Sequence, residues 1–148
     1  FIMSPTFTKS YNEGMEPLLN EKINEEQAWP LITEPFADFM KKQTKETDLK
    51  LFQDIAKKSQ NVAADELNSM QILIPSFMLS EIKKAFQIGF LLYLPFLIID
   101  LVIASVLMSM GMMMLPPVII SLPFKLIFFV LVDGWYMLSG SLVKSYGL

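Results

Sequence analysis

The chain has 148 residues, enough for one ordinary domain, and 53% of them are hydrophobic. Its net charge is −3, all 12 basic residues are lysine, and no basic cluster occurs, which excludes nucleic-acid binding as a main task. Cysteine and histidine are both absent. Disulfides, thiolate chemistry, Ser-His-Asp catalysis and the usual zinc sites are therefore excluded, and no cofactor or metal is expected.

Residues 1–4 (Phe1-Ile2-Met3-Ser4) read as the end of an upstream hydrophobic helix. Residues 5–70 form a polar region with eight lysines against twelve acids. Asn24 with Gln27 makes a capping-box pattern at a helix start. Ala28, Leu31, Ile32, Phe36, Phe39 and Met40 follow at helical spacing, with Pro30 and Pro35 as interruptions. Thr44 or Thr47 is the expected cap of a further helix, whose apolar stripe is Leu51, Phe52, Ile55 and Ala56. "KKSQNVAADELNSM" (57–70) reads as a solvated linker. At the junction beyond it, Pro75 stands near an expected helix start with Ser76 as its cap.

Residues 71–148 read as a hydrophobic helical hairpin. Ile88–Met108 and Met112–Val132 are each 21 residues long with one charge, Asp100 and Lys125 respectively. As helices, each could cross a hydrocarbon core of about 30 Å. Pro95, Pro116, Pro117 and Pro123 interrupt this pattern, and charges at such depth suit helices packed on other protein better than lipid-facing spans. By the positive-inside rule, Lys83, Lys84 and Lys144 would put both hairpin ends in the cytoplasm.

"MSMGMMMLPP" (108–117) reads as the tip. Gly111 permits a tight reversal, and Pro116 and Pro117 act with Pro95 as loop or hinge positions. Met112, Met113 and Met114 either fill an irregular core or line a shared surface that gates a pore. One hairpin cannot enclose a pore, so the second reading needs several copies around an axis.

Asp100, Lys125 and Asp133 need partners if buried. Lys125 and Asp133 lie roughly 12 Å apart along a straight helix and cannot pair along it. In a hairpin turning near residue 113, Asp100 and Lys125 reach similar depth, so a pair within one chain is possible. Asp100 and Asp133 differ in depth by roughly 9 Å and lack a preceding glycine, which argues against a paired-aspartate peptidase and against an enzyme. An ion-coupled channel subunit is a further reading of the same aspartate.

The ordered strings "AFQIGF", "MGMMMLPP", "LPFKL" and "LVDGW", within 80–135, resemble the FliP family of flagellar type III export-gate proteins. The likeness extends from "FIMSPTF" through "FADFMKKQTKETDLKLF" and is weak at 12–30 and 57–70. The paralogous virulence-secretion proteins share the "GMMM" and "LVDGW" regions and are the alternative. The absence of arginine departs slightly from the pattern, as does Lys84 where a small polar residue is usual.

The resemblance implies an all-α subunit: a small polar helical domain on the periplasmic side, then a long kinked hydrophobic hairpin, assembling as a homo-oligomeric ring. It implies a place in the bacterial inner membrane at the flagellar basal body. The implied partners are FliQ-like and FliR-like subunits, other export-apparatus membrane proteins, and unfolded exported proteins as substrates. Gly111, Met112, Met113 and Met114 match the family's pore gate. For Lys125 the resemblance favours Glu81 of a neighbouring subunit over Asp100.

Overall fold

The computed structural model describes residues 1–58, 69–112 and 114–147. Every regular element among them is helical, as expected. The chain divides into two compact units, Phe1–Lys84 and Ala85–Leu148. Composition placed the boundary at 70/71. The unit boundary falls later because the first turns of the long helix carry Leu73, Ser76 and Ser80, all buried in unit 1.

In unit 1, α1 (Ser4–Ser10), a π-helical turn (Tyr11–Met15) and α2 (Glu16–Leu19) follow without a break. The π turn precedes Pro17, which has no amide to donate, and the Glu16 N–H reaches back to the Tyr11 carbonyl. This arm packs on α3 (Glu25–Gln43). Ser10 Oγ donates to the Ile32 carbonyl at 2.9 Å, and Phe7 meets Phe36 edge-on at 5.4 Å. Gly14 makes the close approach possible, since a Cβ there would stand 2.9 Å from the Ile32 nitrogen.

α3 starts where the sequence indicated. Asn24 is extended, and its N–H donates to Gln27 Oε1 at 3.4 Å. Pro30 and Pro35 do not interrupt it. Each proline removes one amide bond but keeps a helical φ, and the burial of Ala28 and Pro35 holds the helix together.

The expected cap of α4 (Glu46–Lys58) is corrected. Thr44 ends α3, its Oγ1 donating back to the Met40 carbonyl at 2.7 Å. Thr47 lies inside α4, and the Lys45 carbonyl takes the first amides from Asp48 and Leu49. The inward face of α4 also differs from the apolar stripe: Asp48 and Ala56 are buried, whereas Leu51 and Ile55 are exposed. Of the expected linker, Lys57 and Lys58 belong to α4, and residues 59–68 lie outside the described set.

α5 (Met70–Ser109) starts before Pro75 and runs through it and Pro95, so Ser76 is not a cap. The Ser69 carbonyl accepts the first amides, from Ile72 and Leu73, and Ser76 Oγ instead bonds the Ile72 carbonyl at 2.6 Å. Within unit 1, Phe39 meets Phe77 at 6.1 Å. The polar centre is Asp48, only 2% exposed. It accepts from Ser80 Oγ at 2.8 Å and pairs with Lys83 at 2.5 Å. Lys45 N–H donates to the same Ser80 oxygen at 3.1 Å, so the buried hydroxyl is used as donor and acceptor. The Lys83 ammonium, then the Ser80 hydroxyl, hold the Asp48 carboxyl below its usual range.

Unit 2 holds the rest of α5, then α6 (Pro117–Leu131) and α7 (Gly134–Lys144). α5, at 40 residues, is long and apolar enough to cross a membrane, and 6% of its most apolar window is buried. The second expected span is corrected. α6 has 15 residues, about 22 Å of helix, and reaches span length only together with α7 across a 60° bend. The bend lies at Val132-Asp133, with Asp133 left-handed at φ 49°. It is packed by Phe129 against Trp135 at 5.2 Å, and a Cβ on buried Gly134 would collide with the Phe129 ring.

Two outcomes follow for unit 1. Gly14→Ala forces a side chain into the Ile32 backbone and should lower unfolding stability by roughly 1–3 kcal/mol, measured by denaturant titration in detergent. Because the Asp48 pKa is lowered, its stabilisation is fully present above the unfolded value of 3.8 and is lost as pH falls through the folded value. Thermal melting should therefore drop more steeply with acid below about pH 4 in the parent than in Asp48→Asn. Equal slopes would remove the carboxylate from this role.

Candidate functional site

The hairpin tip is closed by backbone. Gly111 has φ +72°, its N–H bonds the Met108 carbonyl at 3.1 Å, and the Met112 N–H bonds the Leu107 carbonyl at 3.0 Å. This crossed pair is a Schellman closure with glycine in its left-handed position. Gly111 thus does what its sequence suggested. Pro116 is extended at ψ 116° and precedes Pro117, the first residue of α6, where a missing amide costs nothing. Pro95, expected as a hinge, lies within unbroken α5 and lines an apolar cavity of about 470 Å³ with Phe96, Phe128 and Met137.

The tip methionines face outward in the single chain. Met112 is 42% exposed and Met114 98%, while Met113 lies outside the described residues. Met108 and Met110, which the sequence reading did not single out as gate residues, are exposed as well. Their spacing in "MSMGMMM" was the available signal.

Behind the tip, a polar cluster is set into the apolar hairpin. Asp100 Oδ2 accepts from Lys125 Nζ at 2.7 Å, and Asp100 Oδ1 accepts from Ser121 Oγ at 2.5 Å. Ser121 is fully buried, and the two charged side chains are 22% and 20% exposed. Sequence reasoning allowed the Asp100–Lys125 pair but missed Ser121, which stands one helical turn before Lys125 and so faces the same carboxylate. Glu81 has Lys84 beside it, 3.6 Å away, and Lys84 also donates to Gln43 Oε1 at 3.4 Å. Asp133, expected to be buried, is exposed at the bend. Phe96 stacks edge-on with Phe128 at 6.3 Å on the same hairpin.

Among the described residues, helices alone, an apolar hairpin with an internal ion pair and one helix long enough to cross a bilayer give the architecture of a membrane-associated protein. The FliP family profile matches residues 1–142, and the chain belongs to that family. A relative named flagellar biosynthetic protein FliP, from Agrobacterium fabrum, is 56% identical over 147 residues, which is 99% of this chain and 60% of the relative. The proteins of that name from Bacillus subtilis and Aquifex aeolicus are 51% and 46% identical, each over 99% of this chain and over 66% and 62% of their own lengths. The chain thus spans about 60% of the length of the first of these relatives.

The cluster gives a direct test. Lys125→Ala strands a carboxylate in apolar surroundings and should lower the amount of folded chain in membranes. Asp100→Asn in that background should restore much of the loss, because the stranded charge is gone. Additive losses in the double-mutant cycle would show that the two side chains do not depend on each other.

Proposed function

We propose that this chain is a core subunit of the flagellar type III protein export gate, in which several copies surround a channel and the methionine tip seals it at rest. The carrying observation is the tip itself: bulky thioethers held outward on a loop whose ends are fixed by Gly111 and Pro117. Unbranched, polarizable side chains can close a constriction and still yield to varied passengers. Hydrophobic exposure over the hairpin supports surroundings of protein and lipid rather than water. On this reading the protein works without catalysis, in the bacterial inner membrane at the flagellar basal body. FliQ-like and FliR-like subunits and other export-apparatus membrane proteins are its neighbours, and unfolded exported chains are its passengers. The family resemblance favours the periplasmic side for the polar region 5–70, against the positive-inside reading of Lys83, Lys84 and Lys144.

A contact between Glu81 and a neighbour's Lys125 belongs to the same proposal. Lys125 already pairs with Asp100, whose other oxygen accepts from Ser121, so a neighbouring Glu81 would join or displace Asp100 rather than fill an empty site. A virulence-secretion role is the paralogous alternative. The Asp100 cluster keeps one further reading open, an ion-coupled subunit. Asp100→Asn that assembles yet loses transport would favour it.

The test of the seal uses the full-length protein assembled with its partners in vesicles. Replacing Met112, Met113 and Met114 by alanine removes bulk and should raise ion leakage by about tenfold or more, with assembly unchanged. Replacement by leucine should hold the seal but slow protein passage, because a branched chain adapts less well. A triple-alanine variant that assembles, exports and stays ion-tight would refute the sealing role.

A further inference from the structure

We infer that the methionine tip is also an oxidation site, at which a peroxide or hypohalous acid converts the Met114 and Met110 thioethers to sulfoxides and thereby loosens the seal. The inference rests on the sealing role proposed above.

With no cysteine in the chain, two-electron oxidants find their sulfur targets only among the 11 methionines. These are not equally accessible. Met114 is 98% exposed and Met110 62%, against 42% for Met112, while Met40 is half-buried. The reaction needs no other group. A thioether lone pair attacks one peroxide oxygen and the O–O bond breaks. Sulfur is oxidised by two electrons, and the leaving hydroxide takes the proton of the transferred oxygen to become water, leaving the sulfoxide.

The product changes what the tip can do. A sulfoxide is a strong acceptor on a side chain of similar length. Between Leu107 and Val118 the one side-chain hydrogen-bond donor is Ser109, and its hydroxyl is already given to the Val106 carbonyl at 2.7 Å. Pro116 and Pro117 have no amides. A sulfoxide here must take its hydrogen bonds largely from water, and water drawn into a constriction that closes by dewetting opens it. The Schellman closure at Gly111 uses main-chain atoms alone, so the helices survive the change.

The experiment uses the full-length protein with its partners in dye-loaded vesicles, before and after hydrogen peroxide, with sulfoxide at each methionine read by peptide mass spectrometry. In the parent, Met114 and Met110 should oxidise ahead of Met40, and leakage should rise about tenfold. A variant with leucine at 108, 110, 112, 113 and 114 should show an after-to-before ratio of about one. Met78→Leu and Met137→Leu, both exposed and away from the tip, should keep the parent's ratio. Methionine sulfoxide reductase should restore tightness. Tip oxidation without added leakage overturns the inference while leaving the seal standing. An equal rise in the leucine variant overturns it too, as does oxidation of Met40 before the tip. Failure of the sealing role itself is separate, since it appears as a tight triple-alanine variant without any oxidant.

Discussion

The Asp100 carboxylate sets the terms for unit 2. An aspartate in a helix this apolar is tolerable only if both oxygens are occupied, and α6 brings Ser121 and Lys125 to them one turn apart. Apolar side chains alone would let α6 slide or rotate on α5 at little cost, because one greasy surface resembles another. A carboxylate with two fixed donors admits one register. The Phe96 contacts with Phe128 and Phe129 then fill the space nearby, and the bend at Asp133-Gly134 is packed by the same Phe129. Specificity in this hairpin comes from three polar side chains, and bulk comes from the rest.

Unit 1 solves a related problem with the same chemistry. Among its described residues, the buried hydrophobic side chains are Ala28, Ala56, Ile72 and Leu73. Asp48, Ser80 and Lys83 supply the missing definition, and Ser80 also accepts the Lys45 amide, tying the start of α4 to α5. In both units a serine hydroxyl bonds the carboxylate that a lysine neutralises. The serine is small enough to be buried entirely, which leaves the longer lysine to approach from the rim.

Much of this architecture was legible in the amino-acid order. Long apolar runs, the Asn24–Gln27 helix start, Gly111 and the double proline all act locally, so their effects survive in any context. What was hidden depended on tertiary neighbours. Leu51 and Ile55 look like core residues and are exposed, because the inward position of α4 is taken by a charged Asp48 whose partners lie 32 and 35 positions away. Pro30, Pro35 and Pro95 look like breaks and Pro75 like a helix start, yet α3 and α5 run through all four. Ser121 carried no pattern of its own. It mattered only once Asp100 stood opposite, and Met113 and residues 59–68 lie outside what the structure describes.

The glycine closure at the tip separates two obligations that most loops must meet together. Because main-chain atoms end α5 and proline starts α6, the side chains between them are not needed to hold the fold. A substitution at Met112, Met114 or Leu115 therefore changes the surface of the tip without moving the point where either helix ends.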